Sequence, residues 1–400
     1  MLMLKRGLPA ALGFTFFIVP LFPSFITLTA VTVPGLSLLP HALALALLGV
    51  VAVLAVYALA VALQAPREPV PTLLPLLGWL GAGALSLLLG FDPLAGALFI
   101  AIFGLSVLWH VLLMRFYRAP GVAPTIYRAY LTSGFIAAVA AILMVLTKTP
   151  AAQYTVGHGR AIGTFILPGE LAGYFIIYLP LAFAIARVTT RRDLRILALL
   201  GLAAGIPAFL MTFSRTGWMG LAVAIAFFVF TQLPRWRARS ALGIIAAAII
   251  AVLFVFNYHH NPSENYTRLS IWQAGLLMFE RFPLTGVGPF VFEKIYPFVR
   301  LPDGEPTAFH AHSFLLTIAA ELGTVGIAAV LFAWWRFIVI FRSRLAAANP
   351  ANVTLALAVA AGLLGTWVQG LIDTVSVVIF GLWLPFMAIA LCCAQDGLVE

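Results

Sequence analysis

Two histidines, one residue apart, precede a long apolar run in the segment FHAHSFLLTIAAELG, residues 309–323. They could bind a metal ion, lie as solvent-exposed residues without a special role at a helix end, or supply a general base. Residues two apart share a side on a strand but lie about 200° apart on a helix, so a chelating pair needs extended backbone. Further ligands would have to come from His259, His260, Asp303 or Glu305. We expect no metal and no other cofactor.

Of the two histidines, His312 is the better candidate for a base. It is followed by Ser313 and by an apolar run from Phe314, so it lies at a predicted helix N-terminus. The positive end of a helix keeps a nearby imidazole neutral, as accepting a hydroxyl proton requires. His310 is a possible supporting residue. Glu321, deeper in the run, is either an acid paired with an arginine or a buried, protonated carboxyl.

Three arginines fall at predicted helix ends or in loops on one side of the membrane. They are Arg160 in GHGRAIGTF, Arg215 in MTFSRTGWMGL and Arg268 in YTRLSIWQ. A guanidinium fork suits phosphate oxygens, so together they predict a site for an anionic ligand. Each could instead be a solvated surface charge, or, for Arg215, a side chain that marks the membrane edge. Glu170 in LPGELAGY either pairs with an arginine or favours a helix start, and Asp373 is a further acid at the same predicted face.

The elements that position these residues are transmembrane helices. The chain is 63% hydrophobic and 9% charged, with a mean hydropathy of +1.08, and such a composition excludes an ordinary soluble domain. We predict an all-α polytopic membrane protein, one transmembrane domain over residues 1–400, whose first apolar run is a retained helix. The predicted spans are about 9–30, 41–64, 70–89, 93–114, 126–147, 164–186, 194–212, 215–233, 240–257, 313–340, 352–372 and 375–394.

Basic residues orient the chain, because cytoplasmic loops are enriched in Lys and Arg. With both termini in the cytoplasm, sixteen of the 23 basic residues face the cytoplasm. The net charge of +10 therefore reflects topology and needs no nucleic-acid partner. Adjacent Cys392 and Cys393 predict no disulfide.

The one long loop, residues 258–312, lies between the ninth and tenth predicted spans on the outer side. Loops of this length are often functional. Apolar residues at Leu269, Trp272, Leu276 and Phe279 predict a helix over 266–282 that lies in the membrane interface. PLTGVGPF, residues 283–290, predicts a turn, and VFEKIYPF, residues 291–298, a short helix or strand. We expect a lid or platform over the bundle.

Four segments in order resemble the O-antigen ligase and polymerase superfamily. They are GTFILPGELAGYFIIYLPLAF (163–183), TFSRTGWMGLAVAI (212–225), RLSIWQAGLLMFERFPLTGVGPFVFEKIYP (268–297) and AHSFLLTIAAELGTVGIAAVLF (311–332). The shared patterns are S-R-x-G, R-x-x-x-W with P-L-x-G-x-G, and H-S leading to E-x-G. One departure is LPGEL, where relatives have a stretch like Asn-Pro-Asn, and His310 has no clear counterpart.

The resemblance implies a GT-C-like, inverting and metal-independent glycosyltransferase of the bacterial inner membrane with a periplasmic site. It would take a glycan from undecaprenyl diphosphate. Arg215 and Arg268, with Arg160 less directly matched, would bind the diphosphate, and His312 would be the base. The loop length and the H-S pattern favour a ligase that uses lipid A–core as acceptor. An O-antigen polymerase, a protein O-oligosaccharyltransferase and a transporter of lipid-linked sugars are the alternatives, and the oligomeric state is open.

Overall fold

The computed structural model describes residues 2–21, 69–232, 262–346, 348–373 and 383–394, with a few isolated positions besides. Within these ranges the chain is helical and no strand is present. The helices are α1 (Leu2–Ile18), α2 (Leu73–Leu89), α3 (Pro93–Phe116), α4 (Val122–Thr147), α5 (Ala151–Val156), α6 (Pro168–Val188), α7 (Arg192–Leu210), α8 (Arg215–Gln232), α9 (Pro262–Arg281), α10 (Phe292–Val299), α11 (Phe314–Leu345), α12 (Pro350–Gly370) and α13 (Trp383–Cys393).

Six of the helices in the described ranges, α3, α4, α6, α7, α11 and α12, are long and apolar enough to cross a membrane. Shorter apolar helices lie in α1, α2 and α13. A helix of about 20 apolar residues matches the thickness of the hydrocarbon layer and satisfies its own backbone groups. The chain is therefore a multi-pass membrane protein, as its composition predicts.

The helix positions follow the predicted spans closely where the structure describes them. The predicted break around Ser214 is confirmed, because α7 ends at Leu210 and α8 begins at Arg215. α1 begins at Leu2, earlier than the predicted start at residue 9. The predicted spans 41–64 and 240–257, the end of 9–30 and the start of 375–394 lie outside the continuous described ranges.

Helices α6 and α12 form the centre of the bundle. α6 is the most buried of the six long apolar helices, with 78% of its apolar window inside the protein, and it packs against α7, α8 and α12. α8 and α12 cross at Gly220 and Gly365, where a methyl on either glycine would lie 2.5 Å or less from the other's carbonyl oxygen. Small residues at such crossings let membrane helices approach closely.

The long helix α11 is broken at Gly323, and the turn at residues 283–288 fills the break. Gly323 has a φ of 64°, which glycine adopts without the steric cost that a Cβ adds. The amides of Val287 and Gly288 donate to the carbonyls of Ala320 and Glu321, at 2.9 and 3.1 Å. In return, the amides of Thr324 and Val325 donate to the carbonyls of Pro283 and Leu284, at 2.8 and 3.2 Å. The P-L-x-G-x-G and E-x-G patterns are thus two halves of one contact.

The long loop carries the two elements that its sequence predicts. α9 spans Pro262–Arg281, and the alternative of helix or strand for residues 291–298 is decided by the helix α10. The predicted stripe lies on the outer side of α9: Leu269 and Leu276 are 59% and 50% exposed. Ile271, Ala274 and Met278, on the opposite side, are buried in a small core with α10. The loop is therefore a packed unit.

Candidate active site

A histidine–aspartate pair lies where the long loop meets the end of α12. Nδ1 of His312 is 3.3 Å from Oδ1 of Asp373. An ionised carboxylate can only accept a hydrogen bond, so the proton of a neutral His312 ring lies on Nδ1 and Nε2 carries the lone pair. The His312 side chain is 35% exposed, so a ligand can reach it. The arrangement is that of a general base oriented by a carboxylate.

Asp373 is ionised at neutral pH although it is largely buried. Burial by itself raises the pKa of Asp373, whereas the hydrogen bond with His312, the charge of Arg268 and the charges of the two neighbouring histidines lower it. The net effect is a pKa below the ordinary aspartate value. Asp373 therefore offers His312 a negative charge across the range in which imidazole titrates.

The start of α8 lies against the same carboxylate. Oγ1 of Thr216 is 3.5 Å from Oδ2 of Asp373 and 3.4 Å from Oγ of Ser214. Oγ of Ser214 accepts from the amide of Gly217 at 3.2 Å, so Ser214 caps the start of the helix. Arg215 lies between these two residues and is half-buried. It thus adds a cation to a helix N-terminus, where backbone amides already favour anions.

Arg268 and Gly169 complete the surroundings of Asp373. A guanidinium nitrogen of Arg268 donates to the carbonyl of Ile372 at 3.2 Å, which fixes the α9 arginine next to the acid. A methyl on Gly169 would lie 3.0 Å from Oδ2 of Asp373. The carbonyl of Gly169 also accepts from Nε2 of Gln369 at 2.9 Å. Four elements therefore converge on Asp373: the N-terminus of α6, the N-terminus of α8, helix α9 and the C-terminus of α12.

Arg160 lies in the loop before α6, next to the break that precedes α8. Its Nε donates to the carbonyl of Gly157 at 3.2 Å, and the amide of the following Ala161 donates to the carbonyl of Met211 at 2.9 Å. The loop of Arg160 is thus attached four residues before Arg215. Glu170 is half-buried in the first turn of α6, one residue after Gly169.

The two remaining predicted residues have different surroundings. His310 lies against His312, with ring centroids 4.6 Å apart, and its Nδ1 accepts from the amide of His312 at 3.1 Å. Glu321 is buried at the break in α11, where Oε1 accepts from the amide of Phe292 at 3.2 Å. This contact is with the first residue of α10. Glu321 thus joins the loop to α11, and among the described residues it contacts no arginine.

Sequence reasoning noticed Asp373 but gave it no role. The available signal was an acid at the end of an apolar span, where a charge is costly and marks a functional site. Its partner is 61 residues away in sequence, so spacing could not pair them. Over the described residues, no group of three His, Cys, Asp or Glu side chains is placed to hold a metal ion. His259 and His260 lie outside the described residues.

Comparison with known proteins gives one family match. Residues 198–331 match the family described as O-Antigen ligase. The matched segment runs from α7 to the middle of α11, so it includes Arg215, Arg268 and His312 but not Arg160 or Asp373. Among curated proteins, no significant match is found. The family match confirms the resemblance to the O-antigen ligase superfamily that the four segments indicate.

Proposed function

We propose that the protein is an O-antigen ligase that transfers a glycan from undecaprenyl diphosphate to a sugar hydroxyl of lipid A–core, in lipopolysaccharide biosynthesis. The observation that carries the proposal is the His312–Asp373 pair, 3.3 Å apart, beside Arg268 and the start of α8. The match of residues 198–331 supports a glycosyltransferase that acts on lipid-linked glycans. A base next to cations is what transfer away from a diphosphate requires.

The base begins the proposed reaction. Nε2 of His312 takes the proton of the acceptor hydroxyl, whose oxygen attacks the anomeric carbon of the donor glycan. Asp373, hydrogen-bonded to Nδ1, holds the ring and stabilises the imidazolium that forms. The new glycosidic bond takes its electron pair from the acceptor oxygen, and His312 later gives the proton to water.

The leaving group departs from the opposite face of the sugar, so the anomeric configuration inverts. The bond between the anomeric carbon and the diphosphate oxygen breaks, and its electron pair leaves with undecaprenyl diphosphate. We assign Arg215 and Arg268, together with Arg160 from the loop before α6, to that diphosphate. Fixed cations aimed at a developing charge supply the largest part of many rate enhancements. In this scheme the arginines do the work that a divalent ion does in other enzymes that handle diphosphates.

We further propose that the site faces the periplasm, with twelve spans in the inner membrane, both termini in the cytoplasm and a GT-C-like fold. The distribution of basic residues supports this orientation, since Arg160, Arg215 and Arg268 fall on the face that is poor in them. The convergence of the starts of α6 and α8 with the end of α12 supports a single site at that face.

Glycan transfer by the purified protein tests the proposal. The full chain in lipid nanodiscs is mixed with an undecaprenyl-diphosphate-linked glycan and lipid A–core, and the product is followed by mass. We expect transfer that His312→Ala abolishes, because general-base catalysis contributes about 10²–10⁴-fold. Transfer that survives unchanged in His312→Ala would remove the base assignment.

The acceptor is tested by replacement in the same reaction. Omitting lipid A–core and doubling the donor tests an O-antigen polymerase, and a periplasmic protein as acceptor tests protein glycosylation. A product that forms with either of these but not with lipid A–core would overturn the ligase assignment and keep the site. Dependence of transfer on an added divalent ion, after treatment with EDTA, would overturn the metal-independent mechanism.

A further inference from the structure

The backbone of His312 has a conformation that residues other than glycine rarely adopt. Its φ is 48°, in the left-handed region. Residues held in this region need support from their surroundings, and they cluster at active sites. Two neighbouring amides show where the support comes from. The amide of Ala311 donates to Oγ1 of Thr317 at 3.2 Å, and the amide of His312 donates to Nδ1 of His310 at 3.1 Å.

The contact made by His310 has the geometry of a short side chain that caps a turn. Asparagine and aspartate often accept a hydrogen bond from the amide two residues on, which holds the backbone between them in a tight turn. Nδ1 of His310 does the same with the amide of His312. The His310 ring also lies edge-to-face with the His312 ring, with 4.6 Å between the ring centroids. The His312 ring in turn contacts Asp373.

We propose that His310 is a positioning residue of the transfer reaction: its Nδ1 holds the His312 backbone in the left-handed conformation that directs the His312 ring to Asp373. The inference rests on the proposed function, in which His312 is the base. It gives a role to a residue that lies against the base yet has no counterpart in the resemblance.

The contact requires a neutral His310 ring. A backbone amide can only donate, so Nδ1 must carry the lone pair and the proton must lie on Nε2. Burial, together with the neighbouring His312, lowers the pKa of His310 to about 4, whereas the charge of Asp373 acts in the opposite direction. The groups that face His310 are thus His312 and Asp373, with Arg268 beyond the acid. His310 is available as an acceptor throughout the pH range of ordinary assays.

Two matched pairs of variants separate this role from simple packing. His310→Asn and His310→Ser keep a side-chain acceptor for the His312 amide, whereas His310→Leu and His310→Ala remove it. We expect the Asn variant to keep kcat within about threefold of the unchanged protein. We expect the Leu variant to lose about ten- to a hundredfold in kcat with little change in KM, since displacing a catalytic group by about 1 Å costs up to about a hundredfold.

Hydrogen exchange supplies a measurement that does not depend on glycan transfer. The His312 amide should exchange faster in His310→Leu than in the unchanged protein, and its protection should return in His310→Asn. If the Leu variant does not fold, the Ala and Ser variants make the same comparison. The inference would be overturned if the Leu and Asn variants had the same kcat, whether reduced or not. It would also be overturned if the protection of the His312 amide were unchanged in the Leu variant.

Including the unchanged protein and His312→Ala in the same experiment separates the two proposals. If the unchanged protein transfers no glycan, or His312→Ala transfers it normally, the proposed function fails whatever the His310 variants do. If those two behave as expected and the acceptor-free variants remain fully active, only the role of His310 fails.

Discussion

Replacing Asp373 by asparagine tests the catalytic pair most directly, because it removes a charge and keeps the shape of the side chain. In the transition state of the proposed reaction, His312 becomes an imidazolium 3.3 Å from the carboxylate. At an effective dielectric constant of about 20, two unit charges at that distance attract by about 5 kcal/mol. The His312 side chain is 35% exposed, so we take about half of this after screening by solvent. A loss of about 2.5 kcal/mol corresponds to about a 70-fold lower kcat.

The assay is steady-state glycan transfer in nanodiscs with the donor and the acceptor varied separately. The charge on His312 forms only during the reaction, so kcat should fall while KM for either substrate stays nearly constant. Asp303→Asn is the matched control: Asp303 is exposed in the same loop and has no described contact with His312. It should keep full activity.

Two results would refute the reasoning about Asp373. A kcat within about threefold of the unchanged protein would mean that the carboxylate does not stabilise the transition state. A large rise in KM at constant kcat would mean that Asp373 binds a substrate and does not orient the base. Thermal unfolding of the same preparations establishes that the variant is folded in either case.

Three further predictions follow from the site and its support. Arg215→Ala and Arg268→Ala should each lower kcat in the transfer assay by about 10²–10³-fold. Arg281→Ala is the control and should not lower kcat, because the Arg281 side chain is exposed at the end of α9. Gly323→Ala should lower the free energy of unfolding by about 2–5 kcal/mol, because residue 323 has a positive φ and the added methyl would lie 2.3 Å from the carbonyl oxygen of Leu284. Gly104→Ala is the control and should not lower it, because an added methyl there meets open space. The pKa of Asp373 is lower in the folded protein, so its stabilisation is complete above the ordinary value of 3.8 and is lost as the pH falls through the lower folded value. The difference in melting temperature between the unchanged protein and Asp373→Asn should therefore shrink as the pH falls below about pH 4; a difference that does not shrink there would contradict the prediction.

The positions of the helices were predictable because they depend on local patterns. Hydropathy locates a membrane span, and a short polar break such as Ser214-Arg215 separates two spans. The sequence also placed His312 at a helix start, and α11 does begin at Phe314. Each of these inferences needs only residues that are near one another in the chain.

Two features could not be predicted, for different reasons. The pairing of His312 with Asp373 joins elements that only tertiary packing brings together, and no spacing rule encodes it. The break in α11 is hidden because Gly323 lies within a continuous apolar run, and hydropathy carries no information about φ. Of the two alternatives for Glu321, the structure shows a buried carboxyl, but its contact with the amide of Phe292 could not be predicted from the sequence.

The break at Gly323, which is filled by hydrogen bonds from the turn at 283–288, has consequences for how the protein folds and for how the proposed donor reaches the site. During synthesis the turn at 283–288 emerges before α11, yet its hydrogen-bonding partners belong to α11, so neither can reach its final state before the other arrives. Once formed, these hydrogen bonds join the turn and the first half of α11 into one block, and His312 lies two residues before the start of that helix. Under the proposed function, the donor must therefore reach the site while this block stays in place, because moving the block away from α12 would separate His312 from Asp373.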